Sequence, residues 1–239
     1  MSRTQHRGPH PDDARLFSPD TLPRLQRAAE EVAWLLDRGY SMATALTAVG
    51  NHHQLELRQR IALSRGCCSE AAWLARTARA LAPEQLVGRE LHIDGFNLII
   101  ALEVALGGGP LVQGRDGCLR DLAGLRGSYH LVAETETALA HVGRALATLG
   151  VAGARFYLDA AVSNSGRLRG VILEQATAWP LSVTAELLPN VDPTLATLAG
   201  VVSADAVILD ACQSWTNLAA WIVARHIPEA RLLHLFPTH

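Results

Sequence analysis

The chain has 239 residues, 49% of them hydrophobic, and a formal charge of −2, enough for one large or two small cores and without the global basic field of many nucleic-acid binders. All 21 of its Lys+Arg residues are arginine, which excludes the Walker A loop, Schiff-base and pyridoxal-phosphate catalysis and the protein-kinase pattern, each of which needs a lysine. Cys67, Cys68, Cys118 and Cys212 form no Cys-x-x-Cys pair, so reduced thiols in a cytoplasmic protein are expected, not a disulfide framework or a structural zinc.

Residues 1–22 carry Pro9, Pro11, Asp12, Asp13 and several His and Arg with little to bury, and are expected to form a disordered tail. No secretory-signal pattern opens the chain, and no stretch approaches the roughly 18 apolar residues of a membrane span. Residues 23–86 read as a small all-helical domain. Leu25, Ala28, Ala29, Val32, Leu35 and Leu36 recur at spacings of three and four, the mark of one apolar helical face. Gly39 is placed to end that helix. Ser41 is placed to cap the next, over residues 42–49, which should stop at Gly50-Asn51. A third helix is expected over residues 55–63. Ser69 with Glu70 opens a fourth over residues 71–81, closed by Pro83. Residues 45–60 resemble a helix-turn-helix with Arg58 and Arg60 toward phosphates. The lack of a strongly basic recognition face favours an ordinary bundle with a solvated charged face.

Near Gly88 the pattern changes, and residues 87–239 alternate strand with helix. Strands are predicted at 91–93, 155–158, 181–187, 201–202 and 231–236, with helices at 96–106, 135–149, 165–178 and 216–224. Residues 107–127 read as a loop-rich stretch. This alternation implies an α/β unit with a mostly parallel, covered sheet, separable from the helical domain at residues 82–89.

Four acids fall just past predicted strands: Asp94, Asp159, Asp192 and Asp205. Parallel strands bring their carboxyl ends to one rim, where such folds place ligands. Clustered carboxylates repel one another and call for a proton or a cation, and hard cations prefer oxygen donors. Each acid has a plainer alternative as a turn or helix-cap residue. Asp210 reads as a surface acid or as a group that supports the ligand-bearing acids from behind. Asn97 stands on the first turn after Asp94, placed to orient that acid or meet a phosphate. Asn164, Ser165, Arg167 and Arg169 sit at a predicted helix start, where free N–H groups and guanidinium forks suit anions. Arg120 and Arg126 are further candidates for phosphate contact.

Several short motifs resemble an uncharacterised prokaryotic family, the domain of unknown function 434 with its C-terminal companion, domain of unknown function 5616. They are Arg38-Gly39-Tyr40, Val49-Gly50-Asn51, Ile93-Asp94-Gly95-Phe96-Asn97, Arg115-Asp116-Gly117, Arg120-Asp121, Val162-Ser163-Asn164-Ser165-Gly166 and Ser203-Ala204-Asp205. The resemblance spans about residues 24–225. More distantly, Asp-Gly-x-Asn at a first strand, Val-Asp before a helix and Ser-x-Asp at a later strand are similar to PIN-like nucleases of the NYN branch. That similarity implies a PIN-like three-layer domain with a mostly parallel sheet. It also implies Mg²⁺ or Mn²⁺ held by Asp94, Asp192 and Asp205, with Asn97 as the first motif's asparagine. Ala206-Val207 stand where the nuclease pattern has a second acid.

The function expected is therefore a metal-dependent ribonuclease with Asp94, Asp192 and Asp205 catalytic, Asp159 a further metal ligand, and RNA the partner. A non-catalytic nucleic-acid-binding or regulatory protein and a small-molecule phosphohydrolase stay open as alternatives.

Overall fold

The computed structural model describes residues 5–123 and 127–237. The segment expected to be disordered is packed over residues 5–22. It carries a one-turn helix, α1 (Asp13–Leu16). Asp13 is fully buried and gripped by two nitrogens of Arg58, and Leu16 and Phe17 join a hydrophobic cluster. Arg231 donates to the carbonyls of Asp13 and Phe17, and Arg7 Nε to buried Glu103 at 2.7 Å. The tail is short of apolar residues, but its charges find partners from distant segments, which composition does not reveal.

Helix α2 (Leu22–Leu36) buries Leu25, Ala28, Ala29 and Val32 completely, as the spacing predicts. Gly39 adopts φ +82° at its end, and the Gly39 and Tyr40 amides donate to Leu36 O and Leu35 O, closing the last turn. Ser41 and Ser69 accept from the Thr44 and Ala72 amides, capping α3 (Met42–His52) and α5 (Glu70–Arg79). Helix α3 runs past the stop expected at Gly50-Asn51. Gly50 lies inside it and leaves room for the Arg60 guanidinium, since a Cβ there would meet Arg60 Nη1 at 2.5 Å. Arg58 and Arg60, on α4 (Leu57–Gly66), are spent internally, Arg58 on Asp13 and Arg60 on Leu46 O, Asn51 and Leu55 O. Neither is a solvated arginine facing a phosphate.

The stretch at which the two regions are expected to separate holds a 3-10 turn, Pro83–Leu86, whose Leu86 is buried. Around it, Leu81 N donates to Trp215 O, and Trp215 Nε1 to Arg76 O. The second region then builds a four-stranded, all-parallel sheet from β1 (Glu90–Asp94), β4 (Gly153–Asp159), β5 (Ser182–Leu188) and β6 (Val201–Val202), in the order β5-β4-β1-β6. Leu91, Ile93, Ala154, Phe156 and Leu158 alternate onto one face. They pack under α6 (Gly95–Leu106), α7 (Thr135–Thr148), α8 (Ser165–Ala176) and α11 (Leu218–His226). On the other face, the short helices α9 (Asp192–Leu195) and α10 (Ala206–Ala211) share a cluster with Tyr157 and Val201. Glu90, His92, Arg155 and Glu186 stay partly or fully exposed there. A full helical layer therefore lies on one face only, and the other is covered at the β6 edge.

The stretch 107–127 was expected to be loop. It holds an antiparallel pair, β2 (Leu111–Gln113) and β3 (Leu119–Asp121). The last strand, β7 (Leu232–His234), joins β2 in parallel and not the main sheet, giving a second sheet of order β3-β2-β7. Leu111 and Leu119 face the α/β core, while Val112, Leu122, Leu233 and Leu235 face the helical bundle. This small sheet is the shared wall of the two regions, so the helical core is completed by residues from the other end of the chain. Among the described residues no helix is long and apolar enough to cross a membrane.

Candidate functional site

The chain leaves β1, builds outward through β4 and β5, then returns to add β6 on the opposite side of β1. That reversal makes the carboxyl ends of β1 and β6 the topological switch point of the sheet, the place where open α/β sheets take ligands. Asp94 ends β1 and Asp205 follows β6, so both stand at this point.

Each residue of the first motif has a physical task. Asp94 Oδ1 accepts from the Asn97 amide at 3.3 Å, capping α6. Gly95 lets the helix start press against β4, since a Cβ would lie 2.6 Å from Leu158 Cδ2. Asn97 Oδ1 accepts from Ala204 N at 2.8 Å and clamps the loop after β6. The later motif completes the knot. Ser203 Oγ donates to Asp94 Oδ2 at 2.9 Å and accepts from Asp205 N at 3.0 Å. Asp205 Oδ1 accepts from Val207 N at 2.7 Å, capping α10. Asp159, at the end of β4, accepts from Val191 N at 3.1 Å, and Asp192 opens α9.

Electrostatics ties the four acids together. Burial pushes the Asp94 carboxyl up to about 7, and Asp205 and Asp192 push in the same direction against hydrogen bonds from Ser203 and Asn97. Asp192 is also raised, by burial and then by Asp205 and Asp159. All-oxygen donors fit Mg²⁺ or Mn²⁺ and not a thiophilic ion. Among the described residues no three of these carboxylates bring oxygens within 4.8 Å of one another.

The other expected ligands divide. Arg120 is buried, so it is not a phosphate contact at the surface. Its two terminal nitrogens bind Asp116 at 2.9 and 2.6 Å, and its Nε donates to Ala204 O at 2.6 Å. Asp116 also accepts from Arg76 at 2.6 Å, and Arg76 Nε reaches Asp210 at 2.7 Å, so Asp210 is half of an ion pair as well as a surface acid. Asn164, at φ +65°, donates to Tyr129 O at 2.6 Å, and Ser165 is buried in the first turn of α8. The Asn164 side chain thus ties the start of α8 to the segment at Tyr129. Arg167 and Arg169 are exposed at the same helix start, although Arg169 Nε also donates to Ala185 O. Arg126 lies outside the described residues. Ser203 and Asp116 are absent from the expected site, although they lie in the Ser203-Ala204-Asp205 and Arg115-Asp116-Gly117 motifs. The signal for Ser203 was its place two residues before Asp205, and nothing in the sequence announced Arg76.

Comparison with known proteins gives two family matches. Residues 24–79 match a protein of unknown function, DUF434, and residues 83–221 match a domain of unknown function, DUF5616. An uncharacterized protein of Methanocaldococcus jannaschii is 29% identical over 185 residues, covering 77% of this chain and 88% of that one. No solved structure matches. The second match covers more than half of the chain, from before β1 into α11, and the chain belongs to the DUF5616 family.

Proposed function

We propose that this protein is a divalent-metal-dependent nuclease acting on RNA, built on a PIN-like α/β unit. Asp94, Asp192 and Asp205 are its catalytic carboxylates, with Asp159 beside them. The observation that supports this most is the placement of Asp94 and Asp205 at the reversal point of the sheet, joined through Ser203, where burial and the neighbouring Asp205 and Asp192 raise the Asp94 carboxyl. A carboxylate so placed takes up either a proton or a cation. When bound, Mg²⁺ or Mn²⁺ supplies Lewis-acid activation of water and neutralises charge on a phosphodiester. The chain's own part is positioning. Ser203 and the Asn97 amide fix the Asp94 carboxylate, while Asn97 Oδ1 and Arg120 hold the loop that presents Asp205. Arg167 and Arg169 offer guanidinium groups for the phosphate backbone. The test is incubation of labelled single-stranded RNA with Mn²⁺. The parent should cleave, whereas Asp94→Asn and Asp205→Asn should bind without cleaving. Turnover of nucleotides or sugar phosphates but not RNA would replace this reading with a small-molecule phosphohydrolase.

One observation favours a non-catalytic RNA-binding or regulatory protein instead. Asp94 and Asp205 each already commit Oδ1 to a helix cap, and Asp205 is followed by Ala206 and the 65% exposed Val207 where a second acid would stand. Salt-sensitive RNA binding that survives excess chelator, with no cleavage of varied RNAs, would establish that reading.

A further inference from the structure

The helical region carries a group of side chains that the acidic rim does not use. Glu31 on α2, His52 at the end of α3 and His53 just beyond it each bring one ligand atom within 4.8 Å of the others. His53 Nε2 lies 2.9 Å from Glu31 Oε2. The two imidazoles meet edge to face, with centroids 4.9 Å apart. The backbone that carries them is held by bonds in which the rings take no part. The turn at Gly39-Tyr40 returns α3 alongside α2, and His53 N donates to Val49 O at 3.0 Å. Arg60 then staples the end of α3 through Leu46 O, Asn51 Oδ1 and Leu55 O. Glu31 and His52 are exposed and the His53 side chain is 12% exposed, so the group is fixed on one side and open to solvent on the other.

We infer that Glu31, His52 and His53 form a binding site for a borderline divalent transition-metal ion, Zn²⁺ foremost. A hydrogen-bonded His53–Glu31 pair accounts for two of the three side chains. It does not account for His52, which makes no hydrogen bond among the described residues yet places a ring nitrogen in the same group. Two imidazoles and one carboxylate are the donor set of open zinc sites, with the fourth position left to water. Mg²⁺ and Mn²⁺ prefer oxygen donors, so this site and the rim select different ions. Around a tetrahedral Zn²⁺ with bonds of about 2.0–2.1 Å, ligand atoms stand roughly 3.3–3.5 Å apart. Closing a group that spans at most 4.8 Å takes shifts on the order of 1 Å, which the two exposed side chains supply by rotation. The bound ion ties α2 to the end of α3 and so stabilises the helical region.

The experiment is calorimetric titration of the full, untagged chain with Zn²⁺, with visible absorption of the Co²⁺ form as a second readout. The parent should bind one Zn²⁺ at this site and melt at a higher temperature with Zn²⁺ present. His52→Ala and Glu31→Gln, both at exposed positions, should weaken binding by at least about tenfold and abolish the rise in melting temperature. Asp94→Asn should keep the site, as should the double variant His6→Ala/His10→Ala, which removes the histidines of the N-terminal segment. Parent affinity in both His52→Ala and Glu31→Gln would overturn the assignment, and so would a parent that binds no Zn²⁺ at micromolar concentration.

Discussion

Asp116 and Asp94 are both buried by their surroundings, and burial alone drives either carboxyl upward. Their partners send them opposite ways. Asp116 accepts from Arg120 through two nitrogens, from Arg76 and from the Cys118 amide, and these outweigh burial and hold it below the usual carboxylate range. Among the described residues Asp94 receives a serine hydroxyl and one amide; it faces two more carboxylates and rises to about 7. Arg120 touches both settings, since the guanidinium that neutralises Asp116 also holds Ala204 O, one residue before Asp205. A carboxylate with its charge met belongs to the scaffold. One with its charge unmet, at a sheet's reversal point, is where a ligand has something to supply.

The largest effect should come from the scaffold side. Asp116→Ala leaves the buried Arg120 guanidinium without a carboxylate, removes one of the two that Arg76 holds, and should cost about 3–5 kcal/mol in urea unfolding. A cost below about 1 kcal/mol would mean that Asp116 is not the anchor that separates the two settings.

Asp94→Asn should act in the opposite direction. The folded pKa, about 7, lies above the ordinary 3.8, so folding favours the protonated acid. Its favourable contribution is complete below pH 3.8 and is lost as pH rises to 7. The metal-free variant should therefore be more stable than the parent by about 1–3 kcal/mol at pH 8, with the gap closing toward pH 4. Urea melts at both pH values check this, and a gap independent of pH would remove the contrast with Asp116. Saturating Mn²⁺ should stabilise the parent and not the variant.

Ser203→Ala should have a smaller effect, costing about 1–2 kcal/mol by leaving the Asp205 amide without its acceptor. It also removes a hydrogen bond that lowers the Asp94 pKa. Carboxyl titration followed by NMR should show the Asp94 midpoint moving up; an unmoved midpoint would mean that Ser203 does not tune it. The smallest effect on stability belongs to Arg167→Glu, expected within about 0.5 kcal/mol of the parent because the side chain is exposed. Its readout is RNA affinity, whose salt slope should fall by about 1 if Arg167 meets a phosphate.

Much of this was legible in the chain itself. Ser41, Ser69 and Gly39 act within one turn of their own helix. Asp94 and Asp205 end apolar strand runs, so their shared rim follows from parallel strands alone. Strands β2 and β3 have three residues each, too few for alternation to register. Arg120 and Asn164 looked like phosphate ligands because their type suits that task, and nothing local says that Asp116 or Tyr129 O has already claimed them.

Periodicity, capping and strand-end acids were determined by the sequence alone, because each rests on hydrogen bonds or burial within a few residues. Tertiary structure alone decided the charge partners and the shared wall. Arg76 meets Asp116 across 40 residues, Arg231 reaches Asp13 O across 218, and β7 closes the sheet beside β2 from the far end of the chain. The physical reason is that a buried charge is worth what its partner makes it, and the partner is chosen by how the chain folds back on itself.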